Sequence, residues 1–292
     1  MAKYDYVMAH TVEEAVGLLN EPGLRSIPLA GGTDIYVALR VNPVWFDRLV
    51  DIGRIPEMTE IQEDENRISI GAAVTFSKAA GSKILREKVP FLVEACESIG
   101  GPAVRNCGTF GGNVANAAVC ADSLPSLVCL EATAHLVSPK GERQIKVAHL
   151  VKAPHETGIE KGELLTHFSF DIPSKSARSC FIKIGRRKAQ SISRLSIAVL
   201  GSLDSENNID FVRICPGAAV SSPTRFLNVE NALIGNQPGE ALFTSAADQL
   251  VAEMIASTGR RWSTPYKEVA LKAIAERSLK KIFLEDGSAH VN

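Results

Sequence analysis

Residues 106–122, NCGTFGGNVANAAVCAD, place two adjacent glycines, Gly111 and Gly112, among small and hydroxylated neighbours, with no bulky charged side chain until Asp122. Such a run suits backbone that must come very close to something, because glycine has no Cβ to hold a ligand away and takes positive φ without strain. A second stretch of the same character, LAGGTDIY at residues 29–36, lies far upstream. Two glycine pairs, each followed by a hydroxyl or amide side chain, provide two sets of backbone N–H groups able to converge on one polyanion, and a diphosphate is the obvious candidate. Either pair alone reads first as a tight turn. Neither has the Gly-Lys-Ser/Thr of a Walker loop or the G-x-G-x-x-G spacing of a Rossmann fingerprint, so the nucleotide reading rests on the two together.

At 292 residues the chain can form two or three compact units with their own cores. A formal net charge of −1 leaves no broad basic field, which argues against a nucleic-acid partner. No apolar run approaches the roughly eighteen residues of a membrane-spanning helix, and the N-terminal MAKYDYVMAH lacks the apolar core of a secretory signal. The expectation is a cytoplasmic protein with no membrane association. Cys96, Cys107, Cys120, Cys129, Cys180 and Cys215 include no C-x-x-C pair and lie mostly among small or apolar neighbours, the pattern of reduced thiols rather than of disulfides or a metal site.

Along the chain, Thr11 followed three residues later by Glu14 predicts a capping box. Val12, Ala15, Leu18 and Leu19 then make one apolar face, which Pro22-Gly23 ends. Strands at 26–29 and 48–52 flank a brief helix, capped by Thr33 or Asp34 and running through Leu39, in a small βαβ-like unit. A second unit has a strand at 67–73, helices around 77–85 and 90–99, a loop at 100–106, a helix after Asp122 with Pro125 in its first turn, a hairpin of 132–137 with 144–150, and a strand at 163–171. A polar linker at 173–179 leads to strands at 181–185, 192–203 and 209–220 and helices at 240–256 and 265–283, an antiparallel sheet with helices on one face. In the last helix Tyr266, Val269, Ala270, Ala273 and Ile274 read as a core-facing stripe. The expected class is α+β, divided at 1–55, 56–175 and 176–292, with a cofactor between the first two units and the third closing one side.

Three motifs in this order carry a resemblance: AGGTD at 30–34, GTFGGN at 108–113 with Asp122 nine residues on, and FIKIGRRKAQSIS at 181–193. Over nearly its whole length the chain resembles the FAD-binding subunit of the molybdenum hydroxylases, a group that includes xanthine, carbon monoxide and nicotinate dehydrogenases. The resemblance implies a two-part FAD-binding region of the vanillyl-alcohol-oxidase/PCMH type followed by a C-terminal antiparallel three-stranded sheet with helices. It implies FAD as cofactor, held by Leu29, Ala30, Gly31, Gly32, Thr33, Asp34 and Ile35 and by Thr109, Phe110, Gly111, Gly112 and Asn113. The amides of both glycine motifs are expected to serve the diphosphate. Asp122 is placed near the sugar hydroxyls, as an acceptor-only carboxylate suits, although it also sits where a helix N-cap belongs. Lys183 is placed near the flavin, where a cation tunes the ring, with Ile99 and Leu165 as apolar contacts around the cofactor. Arg187 belongs to the same motif and reads equally as a solvated turn residue.

No catalytic side chain and no metal ligand argues for itself, and the six histidines are dispersed without metal-ligand spacing. One branch of the family adds cysteines that hold a [4Fe-4S] cluster; with only Cys120 and Cys129 after Asn113, no such cluster is expected here. The implied role is electron transfer. A [2Fe-2S] small subunit and a molybdopterin large subunit act as partners, and the FAD subunit delivers electrons to an acceptor such as NAD. A stand-alone FAD oxidase or reductase of the same fold would need an acid, base or substrate clamp that the sequence does not display. A non-catalytic assembly subunit is opposed by the intact glycine pairs.

Overall fold

The structure is a computed structural model describing residues 4–285. The first unit runs β1 (Asp5–Met8), α1 (Val12–Leu19), β2 (Ser26–Leu29), α2 (Ile35–Val41) and β3 (Arg48–Asp51), with the strands in one parallel sheet of order β1-β3-β2. Thr11 Oγ1 accepts from the Glu14 amide at 3.1 Å, as the capping box requires, but the Glu14 carboxylate reaches back to the His10 amide, 2.7 Å away and one residue before the cap. The carboxyl end of β2 at Leu29 opens directly into the first glycine loop, the position at which parallel sheets bind ligands.

The second unit holds β4 (Ile61–Asp64), β5 (Arg67–Gly71), α3 (Phe76–Ala80), α4 (Lys83–Lys88), α5 (Pro90–Ser98), α6 (Pro102–Cys107), α7 (Phe110–Asn116) and α8 (Ser123–Cys129). It continues with β6 (Thr133–Ser138), β7 (Gly141–Lys146), α9 (Val147–Leu150), β8 (Val151–Ala153), β9 (Glu156–Thr157) and β10 (Leu164–Asp171). Its main sheet is five-stranded and antiparallel, β4-β5-β10-β6-β7. Most of the loop expected at 100–106 belongs instead to α6, which starts on Pro102 where the missing N–H loses no helical bond. The expected strand at 144–150 stops at Lys146 and turns helical.

The third unit is the expected three-stranded antiparallel sheet, β11 (Arg178–Gly185), β12 (Ser193–Leu203) and β13 (Ile209–Gly217), packed against α10 (Leu227–Leu233), α11 (Glu240–Thr258) and α12 (Thr264–Phe283). The apolar face of α12 differs from the expected one. Ala270, Leu271, Ile274, Ala275, Leu279, Ile282 and Phe283 are buried, whereas Tyr266 and Val269 are exposed, as is Ala273. The buried set follows the longer i, i+4 run through Phe283, which fixes the rotation of the helix and leaves Tyr266, Val269 and Ala273 on the outer face. One apolar cluster spans the first two units and extends into the third through Phe181, Ala198, Leu200 and Cys215, while Leu29, Phe46 and Leu49 form a small separate cluster in the first unit. Among the described residues no helix is long and apolar enough to cross a membrane.

Candidate functional site

The two glycine motifs meet. A Cβ on Gly31 would lie 1.9 Å from the Cys107 carbonyl oxygen, so the first loop rests on the backbone that leads into the second motif. Gly32 has φ +70°, a left-handed conformation that favours glycine. Asp34 Oδ1 accepts from Asn116 Nδ2 at 3.2 Å, tying the loop to the end of α7. Between the loops opens a cleft of about 370 Å³. Leu29, Ala30, Gly31, Gly32, Thr33, Asp34 and Ile35 line one side of it, and Ile99, Thr109, Gly112 and Asn113 line the other.

The amides of the two motifs differ in availability. Gly111 N–H donates to Ala72 O at 2.7 Å, Gly112 N–H to Thr109 Oγ1 at 3.1 Å, and Asn113 N–H to Thr109 O at 3.0 Å. All three are engaged because the second motif is the first turn of α7, with Thr109 as its N-cap, rather than an open loop. By contrast, the amides of Gly31, Gly32, Thr33 and Asp34 donate no hydrogen bond among the described residues. The first loop therefore holds the donors, and the second shapes the wall opposite.

Beside the cleft lies a buried ion pair. Lys183, on β11, sends Nζ to Asp122 Oδ2 at 2.6 Å and to Ser98 O at 2.9 Å, and the two charged side chains are only 11% and 6% exposed. The pair adjoins the cleft on two sides: Ser98 precedes Ile99, and Ser123, next to Asp122, donates to Asn113 Oδ1 at 2.6 Å. Burial pushes the Asp122 carboxyl above its ordinary range, opposed by the Lys183 ammonium and by the nearby Ser193 hydroxyl. Asp122 Oδ1 itself has no hydrogen-bond partner among the described residues, because the nearby Ser193 hydroxyl donates to Leu195 O at 3.1 Å. A buried carboxylate oxygen without a donor is a costly feature unless a ligand hydroxyl completes it. Unpaired backbone donors, a glycine loop that a Cβ would block and an orphaned acceptor fit a cofactor that carries both a diphosphate and polyol hydroxyls.

The remaining expected positions lie behind the cleft. Phe110 is fully buried against Phe76, with ring centroids 5.3 Å apart. Gly111 packs on Ala72, and Leu165 is a core residue of β10 paired with Leu136. Arg187 is bonded to the carbonyls of Ala189 and Gln190 and holds its own hairpin. Sequence reasoning did not single out Asn116, Ser98, Ser193 or Val104, which tie or line the site. The small and amide residues after Gly112 were the available signal for Asn116, whereas nothing local marks Ser98.

A family model described as FAD binding domain in molybdopterin dehydrogenase matches residues 2–174, and one described as CO dehydrogenase flavoprotein C-terminal domain matches residues 181–282. The chain is 29% identical to the glyceraldehyde dehydrogenase medium chain of Sulfolobus acidocaldarius over 280 residues, 96% of this chain and 98% of that one. It is 31% identical to the xanthine dehydrogenase FAD-binding subunit of Escherichia coli O157:H7, covering 82% and 84% of the two chains. Carbon monoxide dehydrogenase of Hydrogenophaga pseudoflava superposes with a TM-score of 0.88 at 25% identity, over 96% of each chain. Matched by these two models in succession over nearly its whole length, the chain belongs to the FAD-binding medium subunits of the molybdopterin hydroxylases, the carbon monoxide and xanthine dehydrogenase type.

Proposed function

We propose that this chain relays electrons from a partner subunit carrying [2Fe-2S] clusters, itself supplied by a molybdopterin subunit that oxidises the substrate, to an acceptor such as NAD. The observation that carries the reading is the Asp122 oxygen, buried and without a donor beside Lys183, next to a loop of unpaired amides. Gly31, Gly32, Thr33 and Asp34 would hold the FAD diphosphate through their N–H groups, and Asp122 would accept from a sugar or ribityl hydroxyl. Lys183, fixed by Ser98 O and Asp122, holds a positive charge at the site and favours negative charge on a ring bound there. Ile99 provides apolar surface, while Thr109, Phe110, Gly111, Gly112, Asn113 and Leu165 set the position of the wall. Bound FAD supplies one- and two-electron redox chemistry, so no side chain here has to act as nucleophile or base. Names such as medium chain among the relatives support small and large companion chains.

The test is an absorption spectrum of the purified chain with the released cofactor identified and iron and molybdenum assayed on the same sample. About one FAD per chain without metal is expected, and in the assembled complex substrate should bleach the flavin and NAD should restore its colour. A colourless chain that ignores added FAD overturns the cofactor site. A flavin that stays oxidised while the complex turns over substrate overturns the relay.

A further inference from the structure

The backbone of the second glycine motif has no donor to spare, since the amides of Gly111, Gly112 and Asn113 are all bonded within the fold. The Asn113 side chain is different. It lines the cofactor cleft, and the residue is half-buried. Its Oδ1 accepts from Ser123 Oγ at 2.6 Å, whereas its Nδ2 has no hydrogen-bond partner among the described residues and keeps access to solvent. A carboxamide nitrogen carries two N–H donors, and both are free to meet a ligand.

Ser123 decides which way that amide faces. The oxygen and nitrogen of a carboxamide are alike in shape, and only their hydrogen bonds distinguish the two orientations. Ser123 is fully buried, and its hydroxyl has no other partner among the described residues. Turned over, the amide would donate from Nδ2 to Ser123 Oγ and leave the hydroxyl hydrogen buried without an acceptor. A buried donor left unmade costs more than a lone pair left unfilled, so the hydroxyl donates and Oδ1 stays inward.

The place of the hydroxyl is fixed by α8. Every residue of that helix from Ser123 to Cys129 is buried, and the helix packs against α7, which carries Asn113. A serine or aspartate at the start of a helix ordinarily caps it. Here Asp122 stands at the N-cap without a side-chain cap bond and pairs with Lys183, and Ser123 donates to Asn113. Both side chains that open α8 are turned to the cofactor region rather than to their own helix.

We propose that Ser123 is a positioning residue for the cofactor. It holds Asn113 so that the Nδ2 donor faces the cleft and serves an oxygen of bound FAD, opposite the unpaired amides of Gly31, Gly32, Thr33 and Asp34. The proposal rests on the reading of the cleft as the FAD site, and it adds the donor that the second motif contributes and the residue that aims it.

The test titrates the cofactor-free full-length chain with FAD and, separately, with ADP, which carries the diphosphate but neither the ribityl chain nor the flavin. Asn113→Ala should weaken FAD binding roughly tenfold, as loss of one strong hydrogen bond does. Ser123→Ala frees the amide to turn over and should weaken it roughly fivefold, the worth of the one bond that sets the orientation. The double variant removes both partners of the buried bond, which spares the fold, and its affinity should equal that of Asn113→Ala because Ser123 acts through Asn113. Asn113→Asp, close to isosteric, keeps the Ser123 bond but turns a carboxylate oxygen into the cleft, and it should bind FAD more weakly than Asn113→Ala does. Parallel losses for ADP place the donor on the ADP half of the cofactor, and losses for FAD alone place it on the ribityl side; either upholds the proposal. A Ser123→Ala loss that persists undiminished in the Asn113→Ala background overturns it, as does an Asn113→Asp chain that binds FAD as well as Asn113→Ala. A wild-type chain that takes up no FAD refutes the site reading underneath, whereas a wild-type chain that binds FAD with every variant unchanged overturns the positioning role alone.

Discussion

Lys183 and Asp122 lie 61 residues apart in sequence and meet where water is nearly excluded. Such a pair contributes little net stability, because desolvating both ions offsets most of their attraction, but removing one partner strands the other. Lys183→Met is therefore expected to destabilise the FAD-free chain by about 3 kcal/mol, with Asp122 left buried and the Ser98 carbonyl losing its donor. Asp122→Asn should be milder, and the double variant should recover much of the loss. Urea midpoints arranged as a double-mutant cycle check this, and additive effects would contradict it. Both single variants should also bind FAD more weakly than the wild type, since each alters the ion pair that adjoins the cleft.

The second glycine motif does different work at the scale of an element. Gly111 seats α7 on the end of β5: an alanine Cβ there would lie 2.7 Å from both the Cβ and the carbonyl oxygen of Ala72, and backbone cannot give way. At Gly112 the same Cβ would meet only the Thr109 hydroxyl, at 3.0 Å. Gly111→Ala should lower the stability of the FAD-free chain by roughly 1–3 kcal/mol, and Gly112→Ala by clearly less, as read from thermal midpoints. Equal and negligible effects would return the pair to a purely ligand-facing role. The histidines also act between elements. His135 on β6 and His167 on β10 are directly paired, with rings stacked 3.9 Å apart. Burial lowers the pKa of both, and the His167 and Arg67 charges add to the effect at His135, which falls to about 4, while Glu142 opposes it at His167. From an ordinary value of 6.5, the unfolded chain takes up protons first as pH falls. The stabilisation is complete above pH 6.5 and is lost on the way down to about 4. His135→Asn should flatten the fall in urea midpoint across that window, and an unchanged slope would show that the pair does not titrate as argued. Little of this was legible in the sequence. The long strands and helices of the third unit were, because β12 alternates and α11 and α12 are long. α7 was hidden because two glycines at its start suppress helix propensity, although Thr109 was in place to cap it. The histidine stack, the Lys183–Asp122 pair and the seat of Gly111 depend on strand register and packing between distant segments, which no local pattern encodes. The reading of α12 held at Ala270 and Ile274 but failed at Tyr266, Val269 and Ala273, because the longer buried run to Phe283 sets the rotation of the helix.

The two regions matched by separate family models share structure throughout the molecule. Phe181, Ala198, Leu200 and Cys215 of the C-terminal sheet belong to the same apolar cluster as the cofactor-binding region. The Phe181 amide donates to Glu94 Oε2 at 2.7 Å, Arg213 donates to the Cys129 carbonyl at 2.9 Å, and Glu131 at the end of α8 pairs with both Arg213 and Arg225. Separating the two regions would expose this apolar surface and strand Glu94, Asp122 and Lys183 together, which couples the stability of each region to the other. The FAD-free chain should therefore unfold in one calorimetric transition whose van't Hoff and calorimetric enthalpies agree, and two resolved peaks would refute the shared core. FAD is expected to bind the folded state alone, because the residues proposed to hold it come from the first loop, from Asp122 and from Lys183 of the C-terminal sheet. Free FAD at a hundred times its Kd should then add about 2.7 kcal/mol and move the whole transition upward as one peak. If FAD instead split the transition, moving only part of it, Lys183 would not be part of its site, and the C-terminal sheet would be attached to the cofactor region without sharing in the binding.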